Sequence, residues 1–151
     1  VGNLSIKENV LLSCIDRYAK HGYLDEKKEK QDVSEKAEAL KIRMTGLDQR
    51  IIELSGGNQQ KAVFAKALMT NPKVFLCDEP TQAVDIMTRN EIHKLLREKA
   101  DAGNAVVYVS SDLKEILEVA DTIQLVVQGE TRQLLVNENL TTTEVLSYCY
   151  E

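Results

Sequence analysis

Val74-Phe75-Leu76-Cys77-Asp78-Glu79 is a run of four apolar residues ending in two acids. It is too short for a helix and too uniformly apolar for a strand with one wet face. It therefore reads as a buried strand of a parallel sheet. The two carboxylates then fall at the strand tip, where open parallel sheets bind their ligands. The first acid can hold Mg2+, usually through water. The second can polarise an attacking water. The same two acids could equally cap the following loop, and the run by itself leaves both readings standing.

Downstream, helical and strand patterns alternate. Residues 85–100 have helical periodicity and are closed by Gly103. Residues 105–109 form a second apolar strand, 112–120 a short helix and 122–127 a third strand. Gly129-Glu130 makes a turn, 131–136 a shorter fourth strand, and Thr141 or Thr142 caps a last helix to Tyr150. Strand–helix–strand alternation calls for crossover connections and a parallel sheet.

Upstream the chain reads as helical. Ser5 and Glu8 form a capping box ahead of Ile6, Val10, Leu11, Cys14, Ile15 and Tyr18, which recur at helical spacing until His21-Gly22. Residues 25–32 are charged and exposed. A second helix is expected over 34–43, capped by Ser34, with Ala37, Leu40 and Ile42 inward. A connector follows over 46–53. A third helix over 55–70 carries a stripe of Val63, Phe64, Ala67 and Leu68 and stops at Asn71-Pro72.

Composition narrows the classes. The 151 residues are 43% hydrophobic and 28% charged, enough apolar material for a real core. The net charge of -5 argues against a nucleic-acid binder, which would show a basic face. Lys27, Lys28 and Lys30 are interleaved with Asp25, Glu26 and Glu29 and read as a solvated face. Cys14, Cys77 and Cys149 lie far apart without metal-ligand spacing, as expected of reduced thiols in a cytosolic protein. No apolar stretch approaches the length of a membrane span, and the start lacks the pattern of a signal peptide.

A second motif lies at Leu54-Ser55-Gly56-Gly57-Asn58-Gln59-Gln60-Lys61. A serine and two glycines open a helix whose first amides and dipole favour an anion. Glycines also let an anion approach the backbone. Taken singly, this is often just a cap and a turn.

The two motifs together are more specific, since Val74 stands seventeen positions after Gly57, room for one helix and a turn. That order resembles the ATP-binding cassette family over essentially the whole chain. Leu54 to Gln59 is similar to the signature motif, Val74 to Glu79 to the Walker B strand, and Thr81-Gln82-Ala83-Val84-Asp85 to the D-loop. Asn58 stands where most cassettes carry glutamine. With Leu4 to Asn9 and Gly46 to Gln49, it resembles the second cassette of tandem ATPases of sugar importers. Val107 to Leu113 is similar to the switch strand, with Ser111 where most cassettes have histidine. Residues 82–88 depart from the arginine-glycine and valine-glycine pattern usual in that subfamily. The phosphate-binding Gly-x-x-x-x-Gly-Lys-Ser/Thr loop does not occur in the sequence and is expected upstream of Val1.

The resemblance implies an α/β fold: a P-loop NTPase-type parallel sheet flanked by helices, incomplete without its Walker A strand, with an N-terminal helical subdomain. It implies a signature-side helical subdomain over 1–53, continuing through the signature helix to about 70, and the C-terminal part of a RecA-like core over 71–151. The implied ligands are ATP and Mg2+. Asp78 would be the metal ligand, with Glu79, Ser111 and Asp85 catalytic. Ser55, Gly56, Gly57, Asn58 and Gln59 would contact ATP held by a partner nucleotide-binding domain. Further implied partners are transmembrane permease subunits and, indirectly, a periplasmic or extracellular sugar-binding protein. No nucleic acid is expected, and the location would be the cytoplasmic face of the membrane. Two other readings are a soluble cassette protein outside transport and a non-catalytic remnant.

Overall fold

The computed structural model describes residues 1–20 and 23–150. The chain divides into two compact units. One comprises Val1–Val74 with Thr81–Ala105, the other Phe75–Pro80 with Val106–Glu151.

The first unit is mainly helical. Helix α1 (Ile6–Leu11) opens on the Ser5–Glu8 capping box. A 3-10 turn (Ile15–Tyr18), a two-residue hairpin of β1 (Ala19–Lys20) and β2 (Tyr23–Leu24), and α2 (Glu26–Ala39) follow. A second 3-10 turn (Ile51–Glu53) leads into α3 (Gly56–Met69), and α4 spans Ile86–Asp101. Ile6, Val10 and Val33 are fully buried, each contributing about 1.5–3 kcal/mol of transfer free energy. They share a core with Leu11, Cys14, Tyr18, Ala62, Ala65 and Met69.

The first helix stops at Leu11, because Cys14 adopts φ -150. The tighter 3-10 turn then changes the phase: Tyr18 stays buried, but Ile15 turns out to solvent. His21 and Gly22, read as that helix's end, lie outside the described residues. The second helix begins at Glu26 rather than at residue 34. Its cap is Asp25, whose carboxylate accepts from the Lys28 amide at 3.1 Å, and Ser34 lies inside it. The charged stretch 25–32, expected to be exposed, thus lies largely within this helix, and its Glu29 is buried beside Lys7 (3.7 Å), while Lys27, Lys28 and Lys30 are exposed. On α3 the inward face is Ala62, Phe64, Ala65 and Met69, and Val63 is exposed.

Strands β3 (Val74–Asp78) and β4 (Ala105–Val109) pair with each other. The Ala105 amide donates to Lys73 O at one end and the Glu79 amide to Val109 O at the other (both 2.9 Å), so the pair is parallel. Two corrections follow. Strand β3 is not covered on both faces: Phe75 and Cys77 are buried, but Leu76 is 77% exposed. Its apolar sequence suits a strand with two covers, and the described residues supply one. Strand β5 (Thr122–Val127) does not join β3 and β4 but forms an antiparallel hairpin with β6 (Glu130–Val136). Ile123, Leu125 and Leu135 from this hairpin pack with Ile116 of α5 (Leu113–Val119) and Val145 of α6 (Thr142–Tyr150). That cluster is the core of the second unit. No described helix is long and apolar enough to cross a membrane.

Candidate functional site

The expected site residues fall into two groups, one in each unit. In the first unit, Ser55 takes extended backbone (φ -61, ψ 155) and α3 begins at Gly56. The side chain of Ser55 makes no capping bond to the helix. Its Oγ instead accepts from Asn58 Nδ2 at 2.9 Å, and Asn58 Oδ1 accepts from the Arg43 amide at 2.9 Å. Gln59 donates through Nε2 to Leu54 O at 2.8 Å.

The two glycines of this turn differ. A Cβ on Gly56 would meet nothing within 4 Å, and the residue is exposed. A Cβ on Gly57 would lie 2.8 Å from Thr88 Oγ1, closer than real Cβ contacts allow, and in ordinary contact with Asp85 Oδ2 at 3.4 Å. Gly57 is therefore fixed by the start of α4, whereas Gly56 faces open space.

Asp85 caps α4: its carboxylate accepts from the Thr88 amide and the Thr88 hydroxyl, both at 2.9 Å. The amide bond first, and then the hydroxyl bond, hold its pKa below the usual carboxylate range. Within the stretch 82–88, Ala83 and Met87 fare differently. Met87 sits in the first turn of α4 in ordinary helical backbone. Ala83 adopts φ 59, a left-handed conformation that disfavours any residue with a Cβ.

In the second unit, Asp78 is exposed at the end of β3 and Glu79 follows with φ 44. A glutamate rarely takes left-handed backbone unless its surroundings impose it. Here they do so from both ends. The Glu79 amide donates to Val109 O (2.9 Å), and Oε1 accepts from the Ser111 amide at 2.8 Å. Asp78, Glu79 and Ser111 are thus brought to one end of the β3–β4 pair. The contact between the last two runs through the Ser111 main chain.

Residues that the sequence reading did not single out hold this loop. Glu115 is 3% exposed and accepts from Tyr108 OH (2.8 Å) and Ser110 Oγ (2.9 Å). Ser110 Oγ accepts in turn from the Asp112 amide at 3.1 Å, and Asp112 caps α5 through the amides of Lys114 and Glu115. The available signal was Ser110 and Glu115 flanking the capping Asp112, but it shows only once the strand end and helix start are folded together.

An open serine–glycine turn suits a phosphate, and a lone exposed carboxylate suits Mg2+, which keeps most of its waters. Among the described residues, no group of three His, Cys, Asp or Glu is arranged to hold a metal ion.

The family model described as ABC transporter matches residues 1–82, more than half of the chain.

The chain belongs to the ABC transporter family.

The cassette is 40% identical over 147 residues to the xylose import ATP-binding protein XylG of Paraburkholderia xenovorans (strain LB400), covering 97% of this chain and 28% of that one. It is 36% identical over 146 residues to the ribose import ATP-binding protein RbsA of Oceanobacillus iheyensis (strain DSM 14371 / CIP 107618 / JCM 11309 / KCTC 3954 / HTE831), covering 97% and 29%. The chain thus spans under a third of the length of these relatives. Among solved structures, it matches a dimeric bacterial ABC transporter cassette with a TM-score of 0.79 and 26% identity, over 93% of this chain and 60% of that one. The architecture is that of part of a P-loop NTPase, with a parallel β3–β4 pair and accompanying helices.

Proposed function

We propose that this cassette is part of an ATP-binding and ATP-hydrolysing subunit that powers sugar import, and that its signature turn acts in trans on ATP held by a partner nucleotide-binding domain. The relatives named for xylose and ribose import support the sugar. The observation that carries the trans role is the bare start of α3. Gly56 faces open space, and Ser55 leaves the first-turn amides without a side-chain cap. These are donors that Ser55 does not cap, and their geometry suits an anion.

In this reading Ser55, Gly56 and Gly57 contact the terminal phosphate, while Asn58 and Gln59 complete the turn with side chains bonded inside their own chain. ATP supplies the phosphoryl group, and Asp78 would hold Mg2+, which would supply charge neutralisation to the phosphates. Glu79 orients water at the cassette's own half-site, and Asp85 fixes the D-loop. That half-site is degenerate, because Ser111 cannot take the part of a histidine: its hydroxyl is short and does not titrate near neutrality. Residues 1–53, continuing to about 70, form the signature-side subdomain, and 71–151 belong to the RecA-like core. The subunit sits at the cytoplasmic face of the membrane against permease subunits, fed by a sugar-binding protein.

The test is ATP turnover by the intact gene product in its transporter, with Gly56→Asp beside Glu79→Gln. The proposal expects near-complete loss from the first and a smaller loss from the second. The reverse order overturns the trans assignment.

A further inference from the structure

The bonds around Asn58 determine how the Ser55 hydroxyl can act. The Arg43 amide can only donate, and it meets Asn58 Oδ1 at 2.9 Å. The carboxamide oxygen therefore faces Arg43, and its NH2 faces the other way, where Nδ2 meets Ser55 Oγ at 2.9 Å. A serine ahead of a helix ordinarily turns its oxygen to the amide of the second or third residue. Here Asn58, itself the third residue of α3, offers the oxygen a side-chain donor instead, and the cap bond is not made. With that donor lodged on Oγ, the hydroxyl hydrogen must point elsewhere, and the first-turn amides keep no side-chain acceptor.

We infer that Asn58 is a positioning residue that acts through Ser55: it holds the hydroxyl as an outward donor and leaves the first-turn amides to an anion. In the reading given under Proposed function, on which this inference rests, that anion is the terminal phosphate of the partner's nucleotide. Asn58 does not touch the nucleotide. Arg43 takes part through its main chain, so the loop that ends the preceding helical segment sets the donor pattern of the signature turn.

The test is a double-mutant cycle in the intact transporter with Mg-ATP, using Ser55→Ala, Asn58→Ala and the double variant. Turnover is expected to fall roughly tenfold or more for each single variant, the worth of one hydrogen bond to a charged acceptor. KM for ATP should stay within about threefold, because the contact forms only when the partner's nucleotide is enclosed. The double variant should be no slower than Ser55→Ala alone, since a residue acting through Ser55 has nothing left to act on. Multiplying losses would overturn the inference, and so would an Asn58→Ala loss matched by an equal fall in unfolding temperature. Full activity in Ser55→Ala would instead refute the proposed function of the turn itself, which the Asn58 result cannot do.

Discussion

Replacing Gly56 by aspartate sets two electrostatic effects against each other. Within the chain the change is favourable. Nothing lies within 4 Å of the new Cβ, and Gly56 is the first residue of α3. Aspartate has a few tenths of a kcal/mol more helix propensity than glycine. A negative charge at a helix start adds about 0.3–1 kcal/mol through the dipole, so stability should rise by roughly 0.5–1 kcal/mol. Toward a phosphate the sign reverses. A carboxylate about 5 Å from a phosphate charge, at an effective dielectric constant near 20, is opposed by about 3 kcal/mol, roughly a hundredfold in turnover. The assay is steady-state ATP hydrolysis by the intact transporter, alongside thermal unfolding of the same preparation. Raising the ionic strength should restore part of the lost activity. Turnover within threefold of wild type, with unfolding unchanged or later, would refute the reasoning. Gly57 is the poorer probe, because its replacement collides with Thr88 before any ligand is involved.

Other outcomes follow from the same geometry. Ala83→Gly should raise stability by about 0.5–1 kcal/mol, the left-handed strain relieved less the added freedom of the unfolded chain, as read by urea unfolding. Asp85→Ala should lower the unfolding midpoint at neutral pH. Because the folded pKa of Asp85 lies below its ordinary value, the gap should be full above about pH 4 and close as the pH falls through the lowered value, which a pH series of midpoints checks. Glu115→Ala should cost on the order of 3 kcal/mol by leaving the Tyr108 and Ser110 hydroxyls without their carboxylate, and hydrogen exchange should show the Ser111 amide losing protection.

The positions of β3 to β6 and of α3 to α6, though not the pairing of β5, were legible because their signals are local. Asp85 capping α4, Gly103 at φ 90 closing it and Asn71 at φ 49 ending α3 each state a boundary in one or two residues. The first forty residues were less legible. Charge along 25–32 hid a helix, because the one acid that faces inward, Glu29, is neutralised by Lys7 twenty-two positions away. Val63 misled because apolar residues occur on both sides of α3. In the candidate site, the motif residues were named by family resemblance, and their bonds were not legible. That Ser111 meets Glu79 through its amide, that Glu115 holds the loop, and that Thr88 closes the space over Gly57 all depend on residues brought together only by folding.

The contact between Gly57 and Thr88 has a mechanical consequence. The starts of α3 and α4 touch there without a gap, and Lys61 Nζ meets Glu91 Oε2 at 2.5 Å one turn further along each helix. A side chain at Gly57 would press first on Thr88 and, through its bond, on the carboxylate of Asp85. Any larger residue at Gly57 would therefore disturb the cap of α4 along with the start of α3.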